Sequence, residues 1–385
     1  MKIKLSNIIF FIFMAYMANH FESSLIDKKK DLYPKTENAL EKSEEPEQVI
    51  GSLMLGGFRI FISDLLWLRM ITLEESGEYH ELIMTANLIG TLQPTYTSVW
   101  EFLGFVLSNN VSSKEPDPQL KLEWVKSAID YLYKGLKRNP DSGMLYVALG
   151  RTINDKLGIN KEKTLDHYFA LREEGKNPHE MARFNLKEAV KTNNYTVHSE
   201  RWLHIANSYW VNESIFHIRN ITKKNCLLAH AILSGESEDH IKKLKTDLDE
   251  YVKKYGAEGQ IEETSRRITE AVETLKANVI KYPEQEDFQL ALKNHSEEYT
   301  SRYAIAESLA SFTAEMELLI KNGKQNLKED ALSIALLEIE IILLRINILE
   351  NTYLVDEKPY INTPLIKEVQ AKMAKLNSIR GEQKQ

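Results

Sequence analysis

The sequence contains one cysteine, Cys226, among 385 residues. A single thiol excludes an intrachain disulfide framework, and it also excludes a zinc site built from several cysteine ligands. Cys226 is followed by Leu-Leu-Ala in a stretch rich in leucine and alanine. In such a setting cysteine behaves as a small buried hydrophobic residue. We therefore expect Cys226 to lie in the core of the protein.

The chain also lacks an excess of positive charge. Its formal net charge is −7 at pH 7, and no segment combines many Lys and Arg residues with interleaved aromatic residues. Because binding to phosphates requires a basic face, we do not expect nucleic acid as a partner. The apolar and charged fractions, 43% and 27%, are those of an ordinary soluble protein, so most of the chain is expected to fold.

No catalytic or ligand-binding motif occurs at the spacing that its chemistry requires. The ten histidines form no H-E-x-x-H zinc motif, since His179-Glu180 is followed by Met-Ala-Arg-Phe. The nucleophile motif G-x-S-x-G, a glycine-rich phosphate loop and the calcium-binding spacing of an EF-hand are also missing. We therefore predict a protein that is not an enzyme and holds no cofactor. One alternative stays open, in which His198, His204 and His217 converge in space on a metal.

The alternation of apolar and polar residues that marks a half-buried strand is also absent. Apolar residues recur instead at spacings of three and four, which is typical of helices. The fold class predicted from this pattern is all-α.

Residues Gly56–Pro140 carry the spacing of helix-pair repeats. The tetratricopeptide type repeats about every 34 residues, with Trp, Leu and Gly early and Pro at the end. The first block closes at Pro94 and places Gly77 and Tyr79 at the turn between its two helices. The second block has Trp100, Leu103, Gly104, Ala128 and Pro140 at the characteristic positions, and the third opens with Tyr146, Leu149 and Gly150. These blocks predict tetratricopeptide-like repeats that form an α-solenoid.

Three features of these blocks carry further predictions. In the first helix, the residues Ile62, Leu65, Leu66, Leu68 and Met70 form an apolar face broader than one solvent-facing helix needs. The second block contains a polar insertion, Ser108–Pro118, which we expect to project between its helices, either as a partner contact or as a simple loop variation. In the third block, apolar residues between Leu165 and Leu171 predict the second helix.

The N-terminus determines the expected compartment. Lys2 and Lys4 precede an apolar run, Ile8–Ala18, which has the length of a signal peptide, although no small-x-small cleavage site follows it. The wider segment Leu5–Phe21 is long enough for a short membrane anchor. We favour an uncleaved anchor over a cleaved signal, and a buried amphipathic helix is the third possibility. The body is then expected outside the cytoplasm, or secreted if the segment is cleaved.

The chain divides into five predicted segments. Residues 1–26 form the signal-anchor or signal peptide, and residues 27–48 form a polar tether. Residues 49–235 form the helical repeats, and residues 236–282 form a helical hairpin that turns near Gly256 and Gly259. Residues 283–385 form a C-terminal helical region, in which Tyr303–Ile320 and Ala331–Leu349 are predicted helices and the second is apolar nearly all round. We therefore expect the helix Ala331–Leu349 at the centre of a domain.

In tetratricopeptide-like stacks the first helix of each pair lines a concave groove that binds peptides or partner helices. Projecting this register gives a candidate partner groove of mixed acidic and aromatic character. Its members are Asp64, Trp67 and Glu74 in block one, Glu101, Phe105 and Asn109 in block two, and Arg151, Asn154 and Asp155 in block three. Such a groove suits a basic or amphipathic segment of a protein partner. In the alternative interpretation Trp67 and Phe105 are core residues.

Several stretches resemble a group of uncharacterised bacterial proteins. They are Gly56–Arg69 (GGFRIFISDLLWLR), Gly77–Leu82, Leu92–Pro94, Val99-Trp100, Asn110–Ser112 and Leu136–Pro140. The resemblance covers about Val49 to Tyr168, and this chain departs from it at Leu103-Gly104-Phe105, where the relatives tend to carry His-Ala-Trp. It implies an N-terminal membrane segment followed by a tetratricopeptide-like body, and it implies no activity.

The sequence therefore predicts a membrane-anchored, extracytoplasmic scaffold that binds another protein, in envelope assembly or export. Two alternatives remain. One is a purely structural component of the envelope, and the other is a metal-binding protein or enzyme that uses the region His198–His217.

Overall fold

The computed structural model describes residues 58–159, 164–192, 196–353 and 362–382. All regular elements in these ranges are helical, which confirms the all-α class. The α-helices are α1 (Phe58–Ser76), α2 (Tyr79–Leu92), α3 (Thr97–Phe105), α4 (Pro118–Arg138), α5 (Gly143–Leu157), α6 (Leu165–Glu173), α7 (Pro178–Lys191), α8 (Thr196–Ser234), α9 (Glu238–Tyr255), α10 (Ile261–Lys281), α11 (Glu286–Asn322), α12 (Glu329–Tyr353) and α13 (Thr363–Glu382). The predicted membrane segment and tether, residues 1–48, lie outside these ranges. None of the helices within them is both long and apolar enough to traverse a bilayer.

The described residues divide into two compact units. Unit 1 comprises residues 58–156 and 184–202, and unit 2 comprises residues 157–183 and 203–382. Two of the changes from one unit to the other fall inside helices, in α7 and in α8. The predicted segment boundaries after residues 235 and 282 lie close to the ends of α8 and α10, and both fall within unit 2.

The first helix pair of unit 1 forms as its sequence predicts. Helix α1 ends at Ser76 and α2 begins at Tyr79, so Gly77 and Glu78 form the turn between them. Gly77 has a φ of +77°, a conformation that glycine adopts without steric cost. The predicted place of Gly77 in this turn is therefore confirmed, whereas Tyr79 is already the first residue of α2.

The segment predicted as a projecting insertion is helical. Beyond Phe105 the chain continues as a π-helix, Val106–Val111, and then as one α-helical turn, Ser112–Lys114. The hydroxyls of Ser108 and Ser112 are buried and donate to backbone carbonyls four residues earlier, at 2.8 and 2.5 Å. The prediction of a projecting polar insertion was therefore wrong for residues 108–112, whose serine hydroxyls bond within the helix, whereas residues 113–118 are mostly exposed.

Two glycines allow close helix contacts in unit 1. A Cβ atom added at Gly104 on α3 would lie 2.7 Å from Cγ of Leu132 on α4, and one added at Gly150 on α5 would lie 2.5 Å from Cγ of Leu186 on α7. The helix that meets Gly150 is thus α7. The predicted second helix of the third block does form, as α6, but it belongs to unit 2.

Unit 2 contains most of α8 and all of α11, which are the two longest of the described helices. Its main core joins apolar side chains of α8, α10, α11 and α12, including the buried residues Val211, Leu275, Leu309 and Ile339. Helix α10 packs along α11, and α12 packs along α13. Cys226 is buried in this core, as predicted. Helix α12 spans the predicted Ala331–Leu349 and contributes Ile342 and Ile346 to the same core.

Helix α11 is longer than the sequence pattern predicts. It ends at Asn322 before Gly323, which has a φ of +63°, as the Asn-Gly pair predicts. Its start, however, is Glu286 and not the predicted Tyr303. Most residues of these added turns are polar and exposed, so they leave little apolar periodicity in the sequence.

Candidate functional site

The predicted groove residues of α1 lie on different faces of that helix. Asp64 is exposed. Trp67 is half-buried, and its ring packs against Tyr96 and Phe102 with centroid separations of 5.6 and 5.2 Å. Glu74 is also half-buried and accepts a hydrogen bond from Nδ2 of Asn110 at 2.5 Å. Trp67 and Glu74 thus make contacts inside unit 1, while Asp64 is exposed.

The predicted groove residues of the second block lie on α3 and its π-helical continuation. Phe105 keeps 50% of its surface exposed, although it is a large aromatic residue. Asn109 bonds within its own helix, through Nδ2 to the carbonyl of Phe105 at 3.1 Å and to Oγ of Ser108 at 3.0 Å. Burial raises the pKa of Glu101, and the nearby Arg151 opposes part of this shift.

The third-block residues lie on α5. The guanidinium of Arg151 stacks over the ring of Trp202 at 4.3 Å from its centroid. Asn154 is buried, with 1% of its surface exposed, so it cannot form part of an open surface. Asp155 is half-buried. Of the predicted groove, Asp64 and Phe105 are therefore the members that are exposed rather than half-buried or buried.

Helix α1 presents a second apolar face to solvent. Its inner face buries Met70 and Leu73. On the opposite side, Phe61, Leu65 and Leu68 follow the i, i+4, i+7 spacing of one helical stripe, and they are 60%, 51% and 62% exposed. The broad apolar character predicted for this helix thus resolves into a covered face and an uncovered one.

The exposed stripe extends to α2. Nη2 of Arg69 on α1 pairs with Oε2 of Glu81 on α2 at 2.8 Å, on the exposed side of the helix pair. Residues three, four and seven positions away share a side of a helix. Leu65 is therefore on this side, together with the exposed Met84 and Leu88 of α2. We call the outer face the exposed apolar side chains of this helix pair, which are Ile60, Phe61, Leu65, Leu68, Ile71, Met84 and Leu88.

Asp64 lies within the outer face. It is three residues after Phe61 and four before Leu68, so it shares their stripe. Its carboxylate has no ion-pair partner among the residues that the structure describes. The outer face therefore combines an apolar surface with a carboxylate that forms no ion pair with another described residue.

A second candidate site is a buried polar cluster in unit 2. We define the buried cluster as Tyr168 of α6, Glu213 and His217 of α8, Glu258 in the turn between α9 and α10, and Arg267 of α10. Glu213 and His217 have no exposed surface, and they share one face of α8 because they are four residues apart. The turn reaches this face because Gly259 packs against the α8 backbone: a Cβ added there would lie 3.4 Å from the carbonyl carbon of His217.

The hydrogen bonds of the buried cluster define the protonation of His217. An ionised Glu213 can only accept, so Tyr168 donates its hydroxyl hydrogen to Oε1 of Glu213 at 2.6 Å. The contact of 2.9 Å between Tyr168 Oη and His217 Nε2 must then use a hydrogen on Nε2. Nδ1 of the neutral ring accepts from the hydroxyl of Tyr251 at 2.9 Å, and Nδ2 of Asn220 donates to the Tyr251 oxygen at 3.1 Å.

Two arginines balance the two carboxylates of the buried cluster. Nη1 of Arg267 bonds Oε2 of Glu213 at 2.7 Å, and Nη2 of Arg172 bonds Oε1 of Glu258 at 2.6 Å. The second oxygen of each carboxylate faces His217. Oε1 of Glu213 reaches it through Tyr168, and Oε2 of Glu258 lies 3.3 Å from Nε2. This Glu258 oxygen is buried and has no hydrogen bond from any described residue.

Burial and charge together set the protonation states at this site. Burial raises the pKa of Glu213, but the fields of His179 and Arg267 and the hydrogen bond from Tyr168 outweigh it and lower the pKa to about 2. Burial lowers the pKa of His217 to about 3. At neutral pH the carboxylate is therefore charged and the imidazole is neutral, as the hydrogen bonds require. Burial raises the pKa of Glu258, and the charge of Glu213 adds to this shift.

The three histidines considered in the sequence analysis occupy different surroundings. His198 lies in unit 1, where its Nε2 accepts from Nε1 of Trp202 at 3.1 Å. His204 lies in unit 2 against the ring of His295, with a centroid separation of 4.5 Å. Since 13 residues of helix separate His204 from His217, the two are about 20 Å apart along α8. Only His217 belongs to the buried cluster.

The sequence analysis did not identify the remaining members of the buried cluster. One signal was present, because Glu213 and His217 have the i, i+4 spacing that places two ligands on one helix face. Tyr168, Glu258 and Arg267 come from other elements, and Glu258 lies in a turn whose glycines indicate only a break. These residues carry no local pattern that links them to α8.

Comparison of the chain with known protein families and with curated proteins finds no match.

Proposed function

We propose that this protein is a helical scaffold that binds a partner protein through the outer face, in envelope assembly or export. In this proposal residues 1–26 anchor the chain in a membrane and the body lies on the extracytoplasmic side. The observation that carries it is the second apolar face of α1. Soluble proteins rarely leave a contiguous apolar surface uncovered, and such surfaces mark interaction sites.

The partner that we propose is an amphipathic helix with a basic residue among its apolar ones. An apolar stripe at i, i+4, i+7 spacing accepts the apolar face of another helix. Asp64 contributes a negative charge inside that stripe, so a Lys or Arg on the partner would compensate it. This partner agrees with the basic or amphipathic segment that the groove residues predict. The proposal places the contact on the outer face instead of in the predicted groove.

A tetratricopeptide-like solenoid is part of the proposal. The close approaches at Gly104 and Gly150 support it, because each occurs at the glycine of a predicted repeat block. Ala128, at the predicted small-residue position, is fully buried. The relation to bacterial membrane-anchored proteins of this type stays a prediction.

Site-specific photocrosslinking tests the proposed contact. A photoreactive phenylalanine analogue is placed at Leu68 of the full chain in cells, with the equally exposed Leu318 of α11 as the control position. We expect Leu68, but not Leu318, to crosslink to an amphipathic helix of another protein, identified by mass spectrometry of the crosslinked peptide. Crosslinks confined to residues 1–57 of the same chain, or to a second copy of it, would overturn the proposal.

Charge reversal tests the role of Asp64. Asp64→Lys places like charges against a basic partner residue, so we expect a reduction of the Leu68 crosslink. Glu307→Lys makes the same charge change at an exposed position on α11 and serves as the control. An equal crosslink yield in both variants would show that charge does not select the partner.

A further inference from the structure

The buried cluster has a geometry that the docking function does not require. Glu213 and His217 come from one face of α8, and Glu258 enters from the turn between α9 and α10. One ligand atom from each of these residues can be chosen so that all three lie within 4.8 Å of one another. Carboxylate and imidazole are both ordinary ligands of first-row transition metals.

Each arginine bonds one oxygen of its carboxylate and leaves the other oxygen without an arginine contact. Arg267 bonds Oε2 of Glu213 and Arg172 bonds Oε1 of Glu258. Of the opposite oxygens, Oε1 of Glu213 is linked to His217 through the Tyr168 hydroxyl, and Oε2 of Glu258 lies 3.3 Å from Nε2 of His217. In metal sites, groups that hydrogen-bond the far side of a ligand hold it in its binding orientation. Arg267 and Arg172 are placed to do this.

We infer that Glu213, His217 and Glu258 form a binding site for a divalent first-row transition-metal ion. The donors are two carboxylate oxygens and one imidazole nitrogen, and the Tyr168 hydroxyl positions the Glu213 oxygen by donating to it. The buried Oε2 of Glu258 receives no hydrogen bond from the described residues, so its lone pairs are available to a metal ion.

Binding requires one rearrangement of hydrogen atoms. The metal takes the lone pair of Nε2, so the imidazole must carry its hydrogen on Nδ1. Tyr251 Oη, which now donates to Nδ1, then accepts from it, and its own hydroxyl hydrogen turns away. Since the hydrogen moves within the ring, this change by itself releases no proton. Asn220 continues to donate to the same Tyr251 oxygen.

Metal uptake by the purified full-length protein tests the site. The protein is stripped with a chelator, equilibrated with Zn²⁺ at pH 7.5, and analysed for bound zinc by mass spectrometry and for melting temperature. We expect about one zinc per chain and a higher melting temperature. The side chain of Glu258 is partly exposed, so Glu258→Gln should still fold. We expect its affinity for zinc to be at least about tenfold lower than that of the wild type. Glu250→Gln on α9, an exposed position, makes the same charge change and should bind as the wild type does.

A second measurement needs no variant. Co²⁺ in a site of nitrogen and oxygen donors gives visible absorption that depends on its coordination, so wild-type protein should acquire this absorption in proportion to one ion per chain. Zinc should remove it by competition. Failure of the wild type to take up stoichiometric zinc, or equal affinity in the wild type and a folded Glu258→Gln variant, would overturn the proposal.

Discussion

Glu213 shows how unit 2 tolerates a fully buried negative charge. Removing a carboxylate from water costs several kcal/mol unless the surroundings replace the lost hydration. Here Tyr168 donates to one oxygen and Arg267 to the other, and Asn177 approaches the second oxygen at 3.4 Å. Arg267 is itself bonded to the carbonyl of Trp210 and to Glu263. The charge is therefore stabilised by partners on both oxygens.

At the residue scale we predict that Gly104→Ala destabilises the protein. The added Cβ would lie 2.7 Å from Cγ of Leu132, and this contact cannot be relieved by moving a flexible chain end alone. Overpacking of this kind costs about 1–3 kcal/mol. The free energy of unfolding is measured by denaturant titration.

The control for this prediction is Gly381→Ala in α13, where an added Cβ meets no atom within 4 Å. Alanine favours the helix over glycine, so this variant should be as stable as the wild type or slightly more stable. Equal stability of both variants would mean that α3 and α4 separate without cost at Gly104.

At the element scale the two faces of α1 make different predictions. Leu68 is 62% exposed on the outer face, whereas Met70 on the inner face has no exposed surface. Leu68→Ala should therefore change the free energy of unfolding by less than about 0.5 kcal/mol. Met70→Ala should reduce it by about 2–5 kcal/mol, because it leaves a cavity. Both variants are compared by denaturant titration of the purified chain.

Leu68→Ala, which should hardly change the stability, should change the crosslinking. If the outer face binds a partner, Leu68→Ala weakens a crosslink placed at Leu65 while the fold is intact. A large loss of stability in Leu68→Ala would instead mean that residues of this chain cover the outer face.

The elements of the fold differ in how far the sequence predicts them. The turn at Gly77 and the end of α11 at Gly323 follow from local residue chemistry, so they could be predicted. The π-helix Val106–Val111 could not, because its side chains have no pattern that distinguishes it from an α-helix or a polar loop. The assignment of α6 to unit 2 also could not be predicted, since it depends on packing between distant segments.

The candidate sites differ in the same respect. The outer face could be anticipated from the excess of apolar residues in α1, although their division between two faces needed the inner contacts of Met70 and Leu73. The buried cluster depends on a bond between Tyr168 and Glu213, which are 45 positions apart. Such contacts arise from tertiary packing, and no local periodicity encodes them.

At the scale of the whole molecule we predict that stability falls as the pH falls below neutral. Burial lowers the pKa of His179, His204 and His217 to about 4, 4 and 3. In the unfolded chain these pKa values return to about 6.5. Between about pH 6.5 and 4 the unfolded state therefore binds more protons, and each histidine removes about 1.4 kcal/mol of stability per pH unit.

Glu213 extends this trend to lower pH. Its folded-state pKa of about 2 lies below the unfolded value of about 4.3, so the stability that it contributes is present above pH 4.3 and is lost as the pH falls toward 2. Protonation of the histidines and of this carboxylate thus lowers the stability of the folded state in successive pH ranges. All four groups belong to unit 2.

The measurement is the free energy of unfolding at pH 7.5, 6 and 5 for the wild type and for His204→Gln. The variant should lose about 1.4 kcal/mol per pH unit less than the wild type below pH 6.5, because one proton-binding group is gone. Near pH 7.5 the free energy of unfolding of both proteins should depend little on pH. Parallel slopes would show that His204 titrates alike in the folded and unfolded states.

The position of Arg267 in the chain has a consequence for biosynthesis. The ribosome adds Glu213 about 50 residues before Arg267, which corresponds to roughly 3–10 s at the usual rates of translation. During that interval the central helix of unit 2 carries a carboxylate whose arginine partner does not yet exist. The nascent segment must keep Glu213 hydrated until Arg267 has emerged, so this unit completes its folding only late in synthesis.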